Sequence, residues 1–145
     1  MAATADRYLK DKSFDRIDHA LGRPVDPMAE TYRDYFAVNA GSSMVAAFDA
    51  SPHWRRGDDG GGVVFFHVTD EGRKALAVHL KTVGDPWRAY EVTFKGFTDL
   101  VTGKSHGDAK YSHFLDVSDC DPDLTFGEYL KGARVRLASP ERAAA

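Results

Sequence analysis

Residues 57–80 read GDDGGGVVFFHVTDEGRKALAVHL, and this stretch decides the fold of the first half of the chain. A polar tip with three consecutive glycines leads into the apolar run Val63–Thr69. Glycine and aspartate accept the positive φ angles of a hairpin turn, so the stretch predicts two antiparallel strands joined by a flexible tip. Thr69 then precedes an acidic first turn and two leucines at i and i+4, which predicts a capped helix over residues 70–83.

Three further helices are predicted upstream of this hairpin. The first begins at Ser13, whose hydroxyl can cap it, and ends before Gly22 and Pro24. The second is predicted through residues 28–38, and the third through residues 42–50. The order of three helices, strand, glycine-rich tip, strand and helix predicts a degenerate winged-helix-like module over residues 13–83.

A second module is predicted over residues 88–138, after the turn formed by Gly84, Asp85 and Pro86. Alternating apolar residues predict a strand over 90–94, and a short strand is expected near 100–102. Helices are predicted at 108–117 and 126–132, followed by a strand at 134–137, which gives a small β-β-α-α-β module. The fold class is therefore α+β, and residues 1–12 and 139–145 are expected to be flexible ends.

Composition excludes several classes of protein. The chain has 145 residues, is 43% hydrophobic and 28% charged, and carries a formal net charge of −3. It has no apolar run of the roughly 18 residues that a membrane span needs, and no signal-peptide pattern, so a cytoplasmic location is expected. Cys120, the single cysteine, cannot form an internal disulfide. Neither half of the chain is basic, so any contact with nucleic acid must be a local patch.

The glycine-rich tip raises the question of DNA binding. Base edges are read by Arg, Lys, Asn and Gln side chains, yet the third predicted helix, SSMVAAFDA, contains none of these. Candidate phosphate contacts near the tip are Arg55, Arg56, Arg73 and Lys74, and acidic residues stand beside each pair. The pattern therefore favours a winged-helix-like scaffold used for packing or protein contact over a DNA reader.

An acidic segment near the C-terminus is a candidate binding site. A calcium loop that begins at Asp119 needs glycine at its sixth position and glutamate at its twelfth, where this chain has Leu124 and Leu130. The segment is instead predicted to be an acidic edge for docking a basic protein surface. Its residues are Asp116, Asp119, Asp121 and Asp123. Trp54 and Trp87 stand beside turns and are candidate aromatic anchors of the same interface, although for each ring taken alone the pattern favours covering a small core.

The remaining chemistry-bearing residues predict no enzyme. The six histidines do not occur at metal-ligand spacing, so no metal site and no cofactor are expected. The sequence has no nucleophile elbow, Walker loop or paired-carboxylate signature. The glycines at 60–62 precede a strand and cannot present helix amides to a phosphate.

Two segments resemble proteins of bacteriophages and prophages. The first contains HALGRP at 19–24, YRDYF at 32–36 and FFHVTDEGRKAL at 65–76. It is similar to short phage accessory proteins in which a YRN-aromatic motif precedes an F-x-V-T-x-x-G-R-x-A-L motif, although Asp34 stands where the pattern has Asn. The second segment, residues 103–136, resembles another phage-type module that ends in F-G-x-x-L and R-V-R. The resemblance implies a phage or prophage origin and no particular chemistry.

These observations favour a non-catalytic phage or prophage accessory protein that binds a macromolecular machine of its bacterial host. An anti-defence inhibitor of the anti-CRISPR kind is the specific form expected. The alternative is a winged-helix transcriptional regulator that binds DNA directly. The identity of the partner and the oligomeric state stay open.

Overall fold

The computed structural model describes residues 2–144 and contains two small antiparallel sheets with helices packed against them. The α+β class predicted from the sequence is confirmed. The chain divides into two compact units, Met1–Asp85 and Pro86–Ala145. Within residues 2–144, no helix combines the length and the apolar character needed to cross a membrane.

The first unit places three helices around a three-stranded sheet. Its elements are α1 (Lys12–Ala20), β1 (Tyr35–Asn39), α2 (Met44–Ala50), β2 (Trp54–Gly60), β3 (Val63–Val68) and α3 (Asp70–Val83). The strand order is β1-β3-β2, so the predicted hairpin β2–β3 is confirmed and β3 is the central strand. Thr69 caps α3 by accepting a hydrogen bond from the Gly72 amide, as predicted. The core contains Phe66, Leu76 and Ile17.

The helix predicted over residues 28–38 is wrong, because this segment ends in strand β1. Phe36 and Val38 turn toward the core whereas Tyr35 and Ala37 are exposed, which is the two-residue period of a strand. By pairing with β3, strand β1 provides hydrogen-bond partners for backbone groups along one edge of β3 that would otherwise lack them. Only one helix, α2, therefore lies between β1 and β2, and the three-helix arrangement predicted before the hairpin is not observed.

The N-terminal segment is packed over residues 2–12, which corrects the expectation of a flexible end at 1–12; Met1 lies outside the described residues. Helix α1 begins at Lys12 and is capped by Asp11 rather than by Ser13. Upstream of it the residues are alternately buried and exposed, and the buried ones are Ala3, Ala5, Arg7 and Leu9. A bridge between Thr4 and Pro24 ties the segment to the loop after α1.

A buried ion pair explains why this segment is held in place. Arg7 donates from Nε and Nη2 to the two carboxylate oxygens of Asp18, at 3.0 and 2.7 Å, and also to the Pro24 carbonyl. Arg23 bridges Asp18 and Asp15, at 3.1 and 2.8 Å, and Arg7 reaches Asp85 at 3.2 Å. Although burial opposes ionisation of Asp15, the hydrogen bond from Arg23 and the neighbouring positive charges lower its pKa.

The second unit has the predicted β-β-α-α-β order. Its elements are β4 (Arg88–Phe94), β5 (Phe97–Gly103), α4 (His106–Cys120), α5 (Phe126–Gly132), β6 (Arg134–Leu137) and a short terminal helix, α6 (Pro140–Ala144). The strand order is β5-β4-β6. Helix α6 lies within the stretch expected to be flexible, and Ala145 lies outside the described residues. Helix α4 extends three residues beyond its predicted end, which matters for the acidic side chains discussed below.

The glycine of the VTDEGRKAL segment is required by close packing at the start of α3. A Cβ at Gly72 would lie 2.6 Å from the His53 carbonyl oxygen and 3.0 Å from Cγ1 of Val68. We expect Gly72→Ala to lower the free energy of unfolding by about 1–3 kcal/mol, as overpacking usually does. Gly60→Ala is the matched control, because nothing lies within 4 Å of a Cβ there. Urea unfolding of both variants is the measurement, and an unchanged midpoint for Gly72→Ala would contradict the packing described.

Candidate functional site

Two of the four cations predicted to contact nucleic acid, Arg56 and Arg73, bind other groups of the first unit. Arg73 donates to the carbonyl oxygens of Pro27 and Ala29 and to the Thr31 hydroxyl, at 2.9 to 3.0 Å. Arg56 pairs with Asp49 at 2.9 Å and lies 3.6 Å from Asp59. Arg55 and Lys74 are exposed. The structure therefore assigns Arg73 to holding the loop before β1, and it leaves only part of the predicted basic patch at the surface.

Trp54 and Trp87 occupy different environments. Trp54 is only 9% exposed and stacks on Phe48, with 4.7 Å between ring centroids. It belongs to the core of the first unit, which corrects its interpretation as a surface anchor. Trp87 is half-buried, and the Lys104 ammonium lies 5.6 Å from its ring centroid.

The four clustered aspartates separate into two pairs. They were expected to form one acidic edge, with Asp116 inside the helix predicted at 108–117. Because α4 continues to Cys120, Asp119 belongs to the helix as well. Asp116 and Asp121 line a groove of the second unit, whereas Asp119 and Asp123 are exposed outside its lining. Asp116 and Asp119 stand three residues apart on α4, so helical spacing alone does not separate them. The packing of β5 beside α4 determines which of them borders the groove.

The groove lies between strand β5 and helix α4 and has a volume of about 720 Å³. Most of its surface is apolar. The apolar side chains come from β4, β5 and α4 and are Phe94, Phe97, Leu100, Val101 and Val117. Phe97 is 76% exposed, which is unusual for a ring of this size in a strand. An apolar concave surface with a few polar groups is the usual form of a binding site.

Acidic groups dominate the polar part of the groove. Asp99, Asp116 and Asp121 contribute carboxylates, and Lys95 contributes one ammonium group. Lys95 lies at the turn of the β4–β5 hairpin, with its Nζ 5.5 Å from the Phe94 ring centroid. Three carboxylates facing one ammonium leave the groove with a net negative charge.

A chain of hydrogen bonds leads from the groove into the core of the second unit. Asp99, whose side chain is 61% exposed, accepts a hydrogen bond of 2.8 Å from Nε2 of His113. Nδ1 of His113 lies 2.7 Å from the hydroxyl oxygen of Tyr129, which is fully buried. Burial, and to a smaller extent the charge of Asp99, raises the pKa of Tyr129 to about 12.

These contacts fix the direction of the hydrogen bonds. A neutral imidazole satisfies both contacts in one tautomer, in which the Tyr129 hydroxyl donates a hydrogen bond to Nδ1 and Nε2–H donates a hydrogen bond to the Asp99 carboxylate. Each ring nitrogen of His113 is therefore used once. The phenol end of the chain packs among Phe94, Phe114 and Phe126. The chain thus holds Asp99 at the groove and gives a bound molecule no free imidazole nitrogen.

Sequence reasoning identified only Asp116 and Asp121 of the groove as binding residues and missed the others, among them Phe97, Asp99 and His113. A signal for Phe97 and Asp99 was present in the pair Lys95-Gly96, which suits a two-residue hairpin turn. Such a turn places Phe97 opposite Phe94 and Asp99 opposite Val92, the pairing that is observed. His113 gave no comparable signal. Among residues 2–144, no group of three or more His, Cys, Asp or Glu side chains could hold a metal ion.

The buried phenol of Tyr129 is expected to make the stability of the protein depend on pH in the alkaline range. The pKa of Tyr129 is raised in the folded state, so the folded protein holds this proton more tightly than the unfolded chain does. The resulting contribution to the free energy of unfolding is fully present below the ordinary pKa of 10.0 and is lost as the pH rises toward about 12. We expect Tyr129→Phe to remove this loss, and to lower the free energy of unfolding at neutral pH by about 1–3 kcal/mol, because Nδ1 of His113 loses its donor.

Urea unfolding at a series of pH values on both sides of 10 measures this effect. Tyr111→Phe, an exposed tyrosine of the same unit, is the control and should follow the wild-type pH dependence. If Tyr129→Phe and Tyr111→Phe show equal slopes against pH, the pKa of the Tyr129 phenol is not raised in the folded protein.

Comparison with known proteins identifies no relative of this chain. No protein-family model, no curated protein and no solved structure matches this chain. The groove of the second unit is therefore described from its own residues, and its function is inferred from its shape and charge.

Proposed function

We propose that this protein is a non-catalytic binding module, and that the groove between β5 and α4 takes up a basic segment of a partner protein. The observation that carries the proposal is that three carboxylates, Asp99, Asp116 and Asp121, line the groove together with its apolar residues. Charge complementarity of this kind steers association and sets specificity. An apolar side chain of the partner would contact these apolar residues, and flanking Lys or Arg side chains would meet the carboxylates.

The polar groups of the groove support binding rather than catalysis. General acid–base catalysis needs a titrating group with an atom free to reach the substrate. Both ring nitrogens of His113 are taken, one by Tyr129 and one by Asp99. The other groove groups that carry charge are the exposed carboxylates and Lys95, which suit recognition of an oppositely charged partner.

The partner we propose is a nucleic-acid-handling protein or complex of a bacterial host. Such assemblies carry basic surfaces for their own substrate, and an acidic groove is complementary to them. The phage-like motifs of the sequence support this setting, with the host cytoplasm as the location and an inhibitor of the anti-CRISPR kind as the specific form. Direct DNA binding is disfavoured, because Arg56 and Arg73 are engaged by internal partners.

Selection of short random peptides by the intact protein tests the proposal. We expect the enriched peptides to carry Lys or Arg beside an apolar residue, and the double variant Asp116→Asn, Asp121→Asn to weaken their binding. The loss should be roughly two- to thirty-fold, since each exposed ion pair contributes about 0.2–1 kcal/mol.

The double variant Asp119→Asn, Asp123→Asn is the matched control, because it removes the same charge from the same segment outside the groove lining. Titration by fluorescence anisotropy measures both. An equal loss in the two double variants would mean that general acidity and not the groove attracts the peptide. Enrichment of acidic or uncharged peptides would contradict the proposal itself.

A further inference from the structure

The turn of the β4–β5 hairpin determines which backbone groups of β5 face β4. Lys95 and Gly96 have φ angles of 50° and 83°, the positive values of a two-residue hairpin turn. In such a hairpin the flanking residues, Phe94 and Phe97, exchange backbone hydrogen bonds, and every second pair beyond them does the same. On β5 the amide and carbonyl groups of Phe97, Asp99 and Val101 therefore point toward β4.

The intervening residues of β5 point the other way. Thr98, Leu100 and Thr102 direct their backbone groups away from β4, and β5 lies at the edge of the sheet, whose order is β5-β4-β6. The same alternation on β4 is confirmed on the far side, where the Ala89 carbonyl accepts a hydrogen bond of 2.9 Å from the Ala138 amide beyond β6. The edge of β5 thus offers a row of backbone donors and acceptors for another strand.

The side chains of β5 connect this edge to the acidic groove. Phe97, Asp99 and Val101 share one face of β5, and the hydrogen bond between Asp99 and His113 of α4 shows that α4 covers this face. All three line the groove, and Leu100 borders it as well. Directly opposite residues of paired strands place their side chains on the same face of a sheet. Every second side chain of a strand added to β5 would therefore enter the groove, where the apolar residues and the carboxylates lie.

We propose that the partner's basic segment binds as an added strand on the free edge of β5, with alternate side chains entering the groove. This inference rests on the proposed function and specifies its mode. Backbone hydrogen bonds to Thr98, Leu100 and Thr102 hold the segment, and alternation of basic and apolar side chains along one face of it gives specificity. The occupant is an extended stretch of a protein, because only a polypeptide supplies backbone donors and acceptors at strand spacing.

Amide hydrogen exchange with the most enriched basic peptide tests the binding mode. We expect the amides of Thr98, Leu100 and Thr102 to exchange about tenfold more slowly, or slower still, when the peptide is bound. The amides of Asp99 and Val101 already face β4 and serve as the internal reference. Leu100→Pro removes one outward N–H without touching a bond to β4 and should weaken peptide binding about tenfold or more.

Leu100→Ala is the control for the side chain, and circular dichroism checks that both variants remain folded. A stronger loss in Leu100→Pro than in Leu100→Ala, with protection of the three outward amides, supports strand addition. Binding that depends on Asp116 and Asp121 but leaves those amides unprotected overturns strand addition and leaves the proposed function standing. If no basic peptide is enriched, or if binding does not depend on these carboxylates, both proposals are overturned.

Discussion

The ion pair between Arg7 and Asp18 is the constraint on which the first unit depends. Taking both charges out of water is costly, and only two-point geometry with further hydrogen bonds offsets that cost. Here the Pro24 carbonyl and Arg23 complete the set of partners. The pair joins three stretches that are distant along the chain, namely the N-terminal segment, α1 and, through Asp85, the end of the unit. Loss of either member would leave the other with a single ion-pair partner, Arg23 for Asp18 and Asp85 for Arg7.

The second unit uses a different polar network for a similar purpose. The chain from Tyr129 through His113 to Asp99 links α5, α4 and β5. Its exposed end is a carboxylate at the groove. The network therefore connects the packing of the core to the position of a binding group, because Asp99 cannot move without breaking the bond to His113.

Local signals in the sequence were sufficient for much of the fold. The hairpin of residues 54–68 and the capped helix α3 were predictable, because glycine-rich turns and Thr caps act over a few residues. Strand β1 was not, because YFAVN is too short to show a period and its conformation is decided by the edge of β3. The groove was recognised only in part. Asp116 and Asp121 were identified as charges, but their separation from Asp119 depends on the groove between β5 and α4, which forms only through tertiary packing.

Asp99 has a consequence for the behaviour of the protein at high concentration. An open strand edge beside an exposed aromatic ring such as Phe97 is a template on which two copies of a chain can pair and begin to aggregate. A carboxylate on that strand repels the identical carboxylate of a second copy and accepts a basic chain. The negative charge at this edge therefore disfavours pairing of the β5 edge with a second copy and favours pairing with a basic chain.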